Sequence, residues 1–180
     1  FRLTCSGFLF GLLWINLMIG ISGESIAGGP LPGRESLSPE GAMRIGAEDR
    51  CPVCAMLPIR YPRFAAAIEL QDGRTYYFCS PGCMLNAWLH PEIFLGTTAA
   101  QLKRPIVLEY LSGQPLDARL IYWVSGSDVI GPMGPALVPL KDKKHLEAFR
   151  QRHGAKHVFH LDELNDANWE TLTGKQPPKP

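Results

Sequence analysis

Four cysteines constrain this chain more than any other feature. They stand as Cys51-Pro-Val-Cys54-Ala-Met56 and Cys79-Ser-Pro-Gly-Cys83-Met84, a C-x2-C pair followed by a C-x3-C pair. Thiolates at such spacings converge on one ion, so the fold must bring two separate segments to one point. Three outcomes are open at this level. A tetrahedral zinc clip satisfies the cysteine count. Disulfides are the ordinary fate of thiols in an oxidising compartment, although closing Cys79 to Cys83 within one helical turn is awkward. A soft-metal site is the third and the preferred reading, because the neighbouring methionines add thioether sulfur that suits Cu(I) and that zinc rarely uses.

The first 29 residues read as a separate object. Arg2 precedes an apolar run, Phe8–Ile21, and the small residues Ser22, Gly23, Ser25, Ala27, Gly28 and Gly29 follow. That order is an export signal or an anchor, and the run is short for a comfortable span. It predicts a periplasmic protein, with the membrane tether supplied by this segment. Cys5 lies before the apolar run, so it does not resemble a lipid-attachment cysteine. The net charge of +1 offers no broad basic field, which argues against nucleic acid as a partner.

Residues 30–49 are rich in Pro, Gly and charge and predict a flexible tether. The segment 171–180 predicts a frayed tail. Between them lies one pattern twice, which predicts an α+β fold of two β-β-α-β units in tandem. In the first unit, 50–112, Phe64–Leu70 and Arg74–Phe78 are strands about an Asp72-Gly73 turn. Ser80 caps a helix with Pro81 at its first position and an end near His90, and Pro105–Leu111 is the third strand. In the second unit, 113–170, Arg119–Val124 and Ala136–Leu140 are strands joined by a glycine-rich loop. Lys143–His153 is an amphipathic helix, His157–Leu161 a strand, and Asp162–Trp169 a terminal helix. Units this small are expected to pack together rather than fold alone.

On this scaffold Cys51 and Cys54 precede the first strand and Cys79 ends the second. Cys83 falls in the first helical turn, where the helix N-terminus predisposes it to be a thiolate. The hairpin returns the second pair to the edge occupied by the first. Cys54, Cys79 and Cys83 are the expected ligands, with Cys51 and Met56 nearby. Met56 reads as a ligand or as a neighbour, Met84 as core, and Met133, held in Gly131-Pro-Met-Gly134, as a ligand or a docking residue. His90 is two turns beyond Cys83 and could approach from behind. His145 and His153 read as solvated helix positions, His157 and His160 as structural, and Asp128 as a turn former. No phosphate loop is present, and no Cys-His pair with an orienting third group is legible, so the chain is not read as an enzyme.

Cys51-Pro-Val-Cys54-Ala-Met56, Tyr61-Pro62, Asp72–Phe78, Tyr122–Val129 and Gly131-Pro-Met-Gly134 together resemble the NosL family over about residues 50–164. The resemblance implies a periplasmic Cu(I) metallochaperone for assembly of the copper centre of nitrous oxide reductase, acting through a membrane ABC-type assembly complex. It also implies a fold of two ββαβ halves related to the N-terminal part of organomercurial lyase. The positions that carry over are Cys54, Met56 and Met133. Three departures stand out. Ala55 occupies a place where the family usually has Gly, no lipoprotein cysteine follows the apolar run, and Phe78 continues into Cys79-Ser-Pro-Gly-Cys83. That last pair resembles the heavy-metal TRASH and YHS modules, in which zinc-clipped cysteines are the alternative to copper.

Overall fold

The computed structural model describes residue 1 and residues 29–176; the expected export segment lies outside the described residues. The first unit runs β1 (Ala66–Leu70), β2 (Thr75–Phe78), α1 (Pro81–Leu89), a short α2 (Pro91–Phe94) and β3 (Leu102–Leu108), with β4 (Pro115–Asp117) added at the edge. The second runs β5 (Tyr122–Ser125), a ribbon of β6 (Ile130–Gly131) and β7 (Gly134–Pro135), then β8 (Val138–Leu140), α3 (Lys143–His153), β9 (His157–Phe159) and α4 (Trp169–Thr173). The sheets are ordered β2-β1-β3-β4 and β8-β5-β9, and every pairing in them is antiparallel. Both place the first strand of a β-β-α-β set between the other two.

Local sequence explains the elements. Gly73, at φ 86°, turns β1 into β2, with Ala66 opposite Phe78 and Glu69 opposite Thr75. Ser80 Oγ accepts the Cys83 amide and Pro81 opens α1, as the sequence predicts. Asp142 caps α3 by accepting the His145 amide, and Gly154 ends it.

One core joins the halves. Ala66, Ile68, Leu70, Tyr76, Phe78 and Val107 from the first sheet pack with Trp123, Phe159, Leu161 and Trp169 from the second half. Alternation along β1 sends Ala67 to the other face, where Ala67, Tyr77 and Ile106 meet Leu37, with Met43 and Ile45 packed beside them. The expected tether at 30–49 is therefore a second layer on the first sheet. Gly33 N–H donates to the Thr75 carbonyl at 2.7 Å, buried Asp49 accepts from the Arg34 and Gly46 amides, and Arg104 reaches the Ser38 and Pro39 carbonyls. The reason is that all of β1 and β2 is buried, and a sheet apolar on both faces needs a cover on both.

The C-terminal end also departs from expectation. The terminal helix starts at Trp169, because Asn165 and Asn168 hold 163–168 in a side-chain-bonded turn, the competition with helix that Asn favours. The expected tail is docked as far as residue 176. Trp169 Nε1 donates to the Gln176 carbonyl at 3.2 Å, and Lys175 Nζ donates to that of Met133 at 3.1 Å.

Tyr77 clasps the covering segment: its hydroxyl donates to Glu35 O at 3.0 Å and accepts the Arg44 amide at 3.2 Å. Tyr77→Phe is expected to cost about 1–2 kcal/mol in denaturant unfolding and to speed tryptic cleavage at Arg34 and Arg44. Unchanged cleavage would show that the layer does not depend on this clasp.

Candidate metal centre

The first cysteine pair sits on a tight backbone knuckle. Cys51 N–H donates to Met56 O at 2.9 Å and Ala55 N–H to Cys51 O at 2.8 Å. Closing that turn puts Ala55 at φ 60°, the left-handed region that costs an L-residue about 1–2 kcal/mol. The second pair is positioned by different means: Cys79 ends β2, and Cys83 is fixed in α1 by the Ser80 cap. Backbone amides tie the two segments to the sulfurs, with Met56 N–H directed to the Cys54 sulfur and Cys79 N–H to that of Cys51.

The four Sγ atoms lie within 4.8 Å of one another. Cys54 is 3.3 Å from Cys79 and 3.9 Å from Cys83, and Cys79 is 3.9 Å from Cys83. All four are free thiols, so the disulfide alternative is not the arrangement adopted. The donor set fits a soft ion. With metal–sulfur bonds of about 2.3 Å, ligand sulfurs stand about 3.8 Å apart around a tetrahedron and a little further apart in a trigonal plane. Among the described residues, no other group of three or more Cys, His, Asp or Glu has its ligand atoms so gathered.

Burial is uneven. Cys51, Cys79 and Cys83 are buried and Cys54 is half-buried. The thiols share protons accordingly. Hydrogen bonds from Cys51, Cys79 and Cys83 hold the Cys54 thiol far below its ordinary range. At Cys51 the bond with Cys54 pushes upward, but those from Cys79 and Cys83 leave it lowered. Cys79 and Cys83 are pushed well up, chiefly by their bonds to Cys51 and Cys54. The expected pull of the helix N-terminus towards a thiolate at Cys83 meets an opposing push in the structure, from its bonds to Cys51 and Cys54.

The other expected residues divide. Met84 is core. Met56 packs beside the cysteines and borders a cleft of about 310 Å³ with Arg50, Ala55, Leu57, Arg60 and Tyr61. Met133 is 43% exposed on the β6–β7 ribbon and shares a crevice with Ser80, Pro81, Gly82 and Lys175, at the turn that carries Cys83. Burial lowers the Lys175 pKa. His90 pairs with Asp166 at 2.9 Å. His145 and His153 are not free helix positions, as each ring Nδ1 meets a carboxylate, Glu109 at 2.9 Å and Asp128 at 2.8 Å. Glu109 is fully buried and had no sequence signal beyond lying within the expected strand Pro105–Leu111, although the observed strand ends at Leu108.

The family model named NosL matches residues 42–169. A curated relative, the copper-binding lipoprotein NosL of Stutzerimonas stutzeri, is 28% identical over 160 residues, covering 87% of this chain and 80% of that protein. The crystal structure of the copper chaperone NosL from Shewanella denitrificans superposes with a TM-score of 0.57 at 27% identity, covering 72% of this chain and 99% of that one.

Ala55→Gly relieves the left-handed strain but adds backbone entropy to the unfolded chain. The expected net gain is about 0.5–1 kcal/mol, read by denaturant unfolding at fixed metal loading. A loss of stability would mean that the Ala55 methyl, not the turn, governs the knuckle.

Proposed function

The chain belongs to the NosL family, and on that premise we propose that it is a periplasmic Cu(I) chaperone. Its cargo is one soft cation held by Cys54, Cys79 and Cys83, with Cys51 and Met56 beside them. The observation that carries this reading is the sulfur triangle of 3.3, 3.9 and 3.9 Å with a single half-buried corner at Cys54. Three thiolates in a trigonal arrangement suit Cu(I). A corner that reaches solvent lets an incoming sulfur bind before an outgoing one leaves. The relatives' names, a copper-binding lipoprotein and a copper chaperone, support copper as the cargo. Met133, exposed on its ribbon, serves as a ligand at the exit or as part of the docking surface. The N-terminal segment holds the protein at the membrane. The recipient is nitrous oxide reductase through its ABC-type assembly complex, an assignment supported by the family resemblance.

A second reading rests on the fourth thiol. Cys51 completes a set of four sulfurs within 4.8 Å, close to the tetrahedron zinc prefers. In that case the cluster is a structural clip, and loss of any one cysteine unfolds the first half.

Metal analysis after anaerobic purification, followed by Cu(I) competition with a chelator, separates the two. The chaperone reading predicts Cu(I) uptake and a folded Cys54→Ser protein whose Cu(I) affinity falls by about 100-fold or more, the upper end of losses at tuned metal sites. Tightly held zinc with no Cu(I) uptake would overturn it.

The proton distribution gives a second check. Cys79 and Cys83 are raised and hold protons in the free cluster, so cation binding must displace them. Cu(I) affinity is therefore expected to fall as pH falls, by about tenfold per pH unit for each proton displaced. Competition titrations at two pH values read it, and a flat profile would count against thiolate ligation by this pair.

A further inference from the structure

Two arginines, Arg50 and Arg60, border the cleft beside Ala55 and Met56, the end of the knuckle that carries Cys54. From Arg50 to Ile68 the chain has three arginines and no carboxylate. Arg50 and Arg60 are exposed and border the cleft that Met56 lines, where Arg50 Nη1 also donates to Ala55 O at 3.2 Å. Arg63 sits over the Tyr110 ring on a different cleft, shared with Asp128 and His153. Among the described ion pairs none uses Arg50, Arg60 or Arg63, whereas Arg74, Arg104 and Arg119 are each paired with a carboxylate. Ile59, 45% exposed, lies on the same turn as Arg60. Two exposed arginines on a cleft otherwise lined by Ala55, Met56, Leu57 and Tyr61 form a local basic patch in a chain of net charge +1.

We propose that this face is the docking surface for an acidic protein segment bearing methionine donors. The inference rests on the Cu(I)-carrier reading and adds the chemistry of the recipient. Carboxylates of the incoming segment meet Arg50 and Arg60, and its thioethers reach the cluster at Cys54. Transfer moves Cu(I) as a cation. One copper–thiolate bond breaks for each copper–thioether bond formed, and the freed thiolates take up protons from water. Rim charges of this kind act on encounter rate and partner choice more than on the hold on the ion.

The test uses the Cu(I)-loaded chain under anaerobic conditions and two synthetic peptides with one methionine motif, flanked by Asp in one and by Lys in the other. Stopped-flow transfer is expected to be about tenfold faster to the Asp peptide at low salt, with the advantage shrinking at high salt. Arg60→Glu removes most of that advantage and Arg60→Lys keeps it, while Cu(I) affinity stays within about twofold of the parent, as rim charge should not alter the hold on the ion. Equal rates to the two peptides would overturn the proposal. So would a fall in Cu(I) affinity that matches the lost rate, which would assign the arginine to neutralising the thiolates. Binding to phosphatidylglycerol vesicles without discrimination between peptides would assign the face to membrane instead. If the chain takes up no Cu(I), the carrier reading fails by itself. Fluorescence anisotropy of the metal-free Asp peptide on the unloaded chain then decides the docking face, with Arg60-dependent binding supporting it and none refuting it.

Discussion

Four sulfur atoms packed within 4.8 Å, three of them buried, cannot all be ionised without a cation among them. Each uncompensated buried charge costs roughly several kcal/mol, so the free cluster keeps protons among its thiols, with Cys79 and Cys83 pushed up and Cys54 pushed down by their mutual hydrogen bonds. The surrounding backbone is arranged around that problem. Amides of Met56 and Cys79 point at sulfur, the Ser80 cap fixes the turn that carries Cys83, and Ala55 tolerates a left-handed conformation to close the knuckle. The hairpin of β1 and β2 makes the convergence possible, because it returns Cys79 to the level at which the chain enters the sheet.

The hairpin is itself held from both sides. Its even positions, Ala66, Ile68 and Leu70, face the core shared with Trp123 and Trp169, and Ala67 faces the layer of 37–45. A site-bearing element clamped between two layers presents its sulfurs with little freedom, so on the carrier reading ligand exchange falls to the one half-buried thiol, Cys54. On the carrier reading, the three buried thiols provide retention and half-buried Cys54 provides access.

Much of this was legible in the residues. The Asp72-Gly73 turn, the Ser80-Pro81 helix start and the cysteine spacing all act locally, through backbone preferences and capping bonds, so they can be read from short stretches. What escaped prediction was decided at a distance. Pro and Gly in 30–49 suggested a tether, but Leu37, Met43 and Ile45 found a buried sheet face. The signal was present in the unbroken burial-prone run Ala65–Ile68 and in Thr75–Phe78, which lack the polar alternation of a sheet wetted on one side. Glu109, His145, Asp128 and His153 pair across 25 to 36 residues of sequence, a coupling that no local pattern encodes. The push on the Cys83 thiol was not legible for the same reason: a helix end is visible in sequence, whereas three neighbouring sulfurs are visible only after folding.

The extra pair, Cys79 and Cys83, changes what the CxM knuckle can do. Cys54 and Met56 alone would offer one thiolate and one thioether, an open and weakly charged seat. Two more thiols beneath them deepen the seat and make its occupancy depend on proton release, since both are raised in the free cluster. A more anionic seat holds a monovalent cation more tightly and surrenders it more slowly unless something lowers the exit barrier. On the docking proposal, Arg50 and Arg60 on the cleft beside Met56 answer that need on the recipient's side, by raising the local concentration of an acidic acceptor where exchange begins. On the carrier and docking proposals, retention by the cysteine cluster and recruitment by Arg50 and Arg60 are two halves of one arrangement.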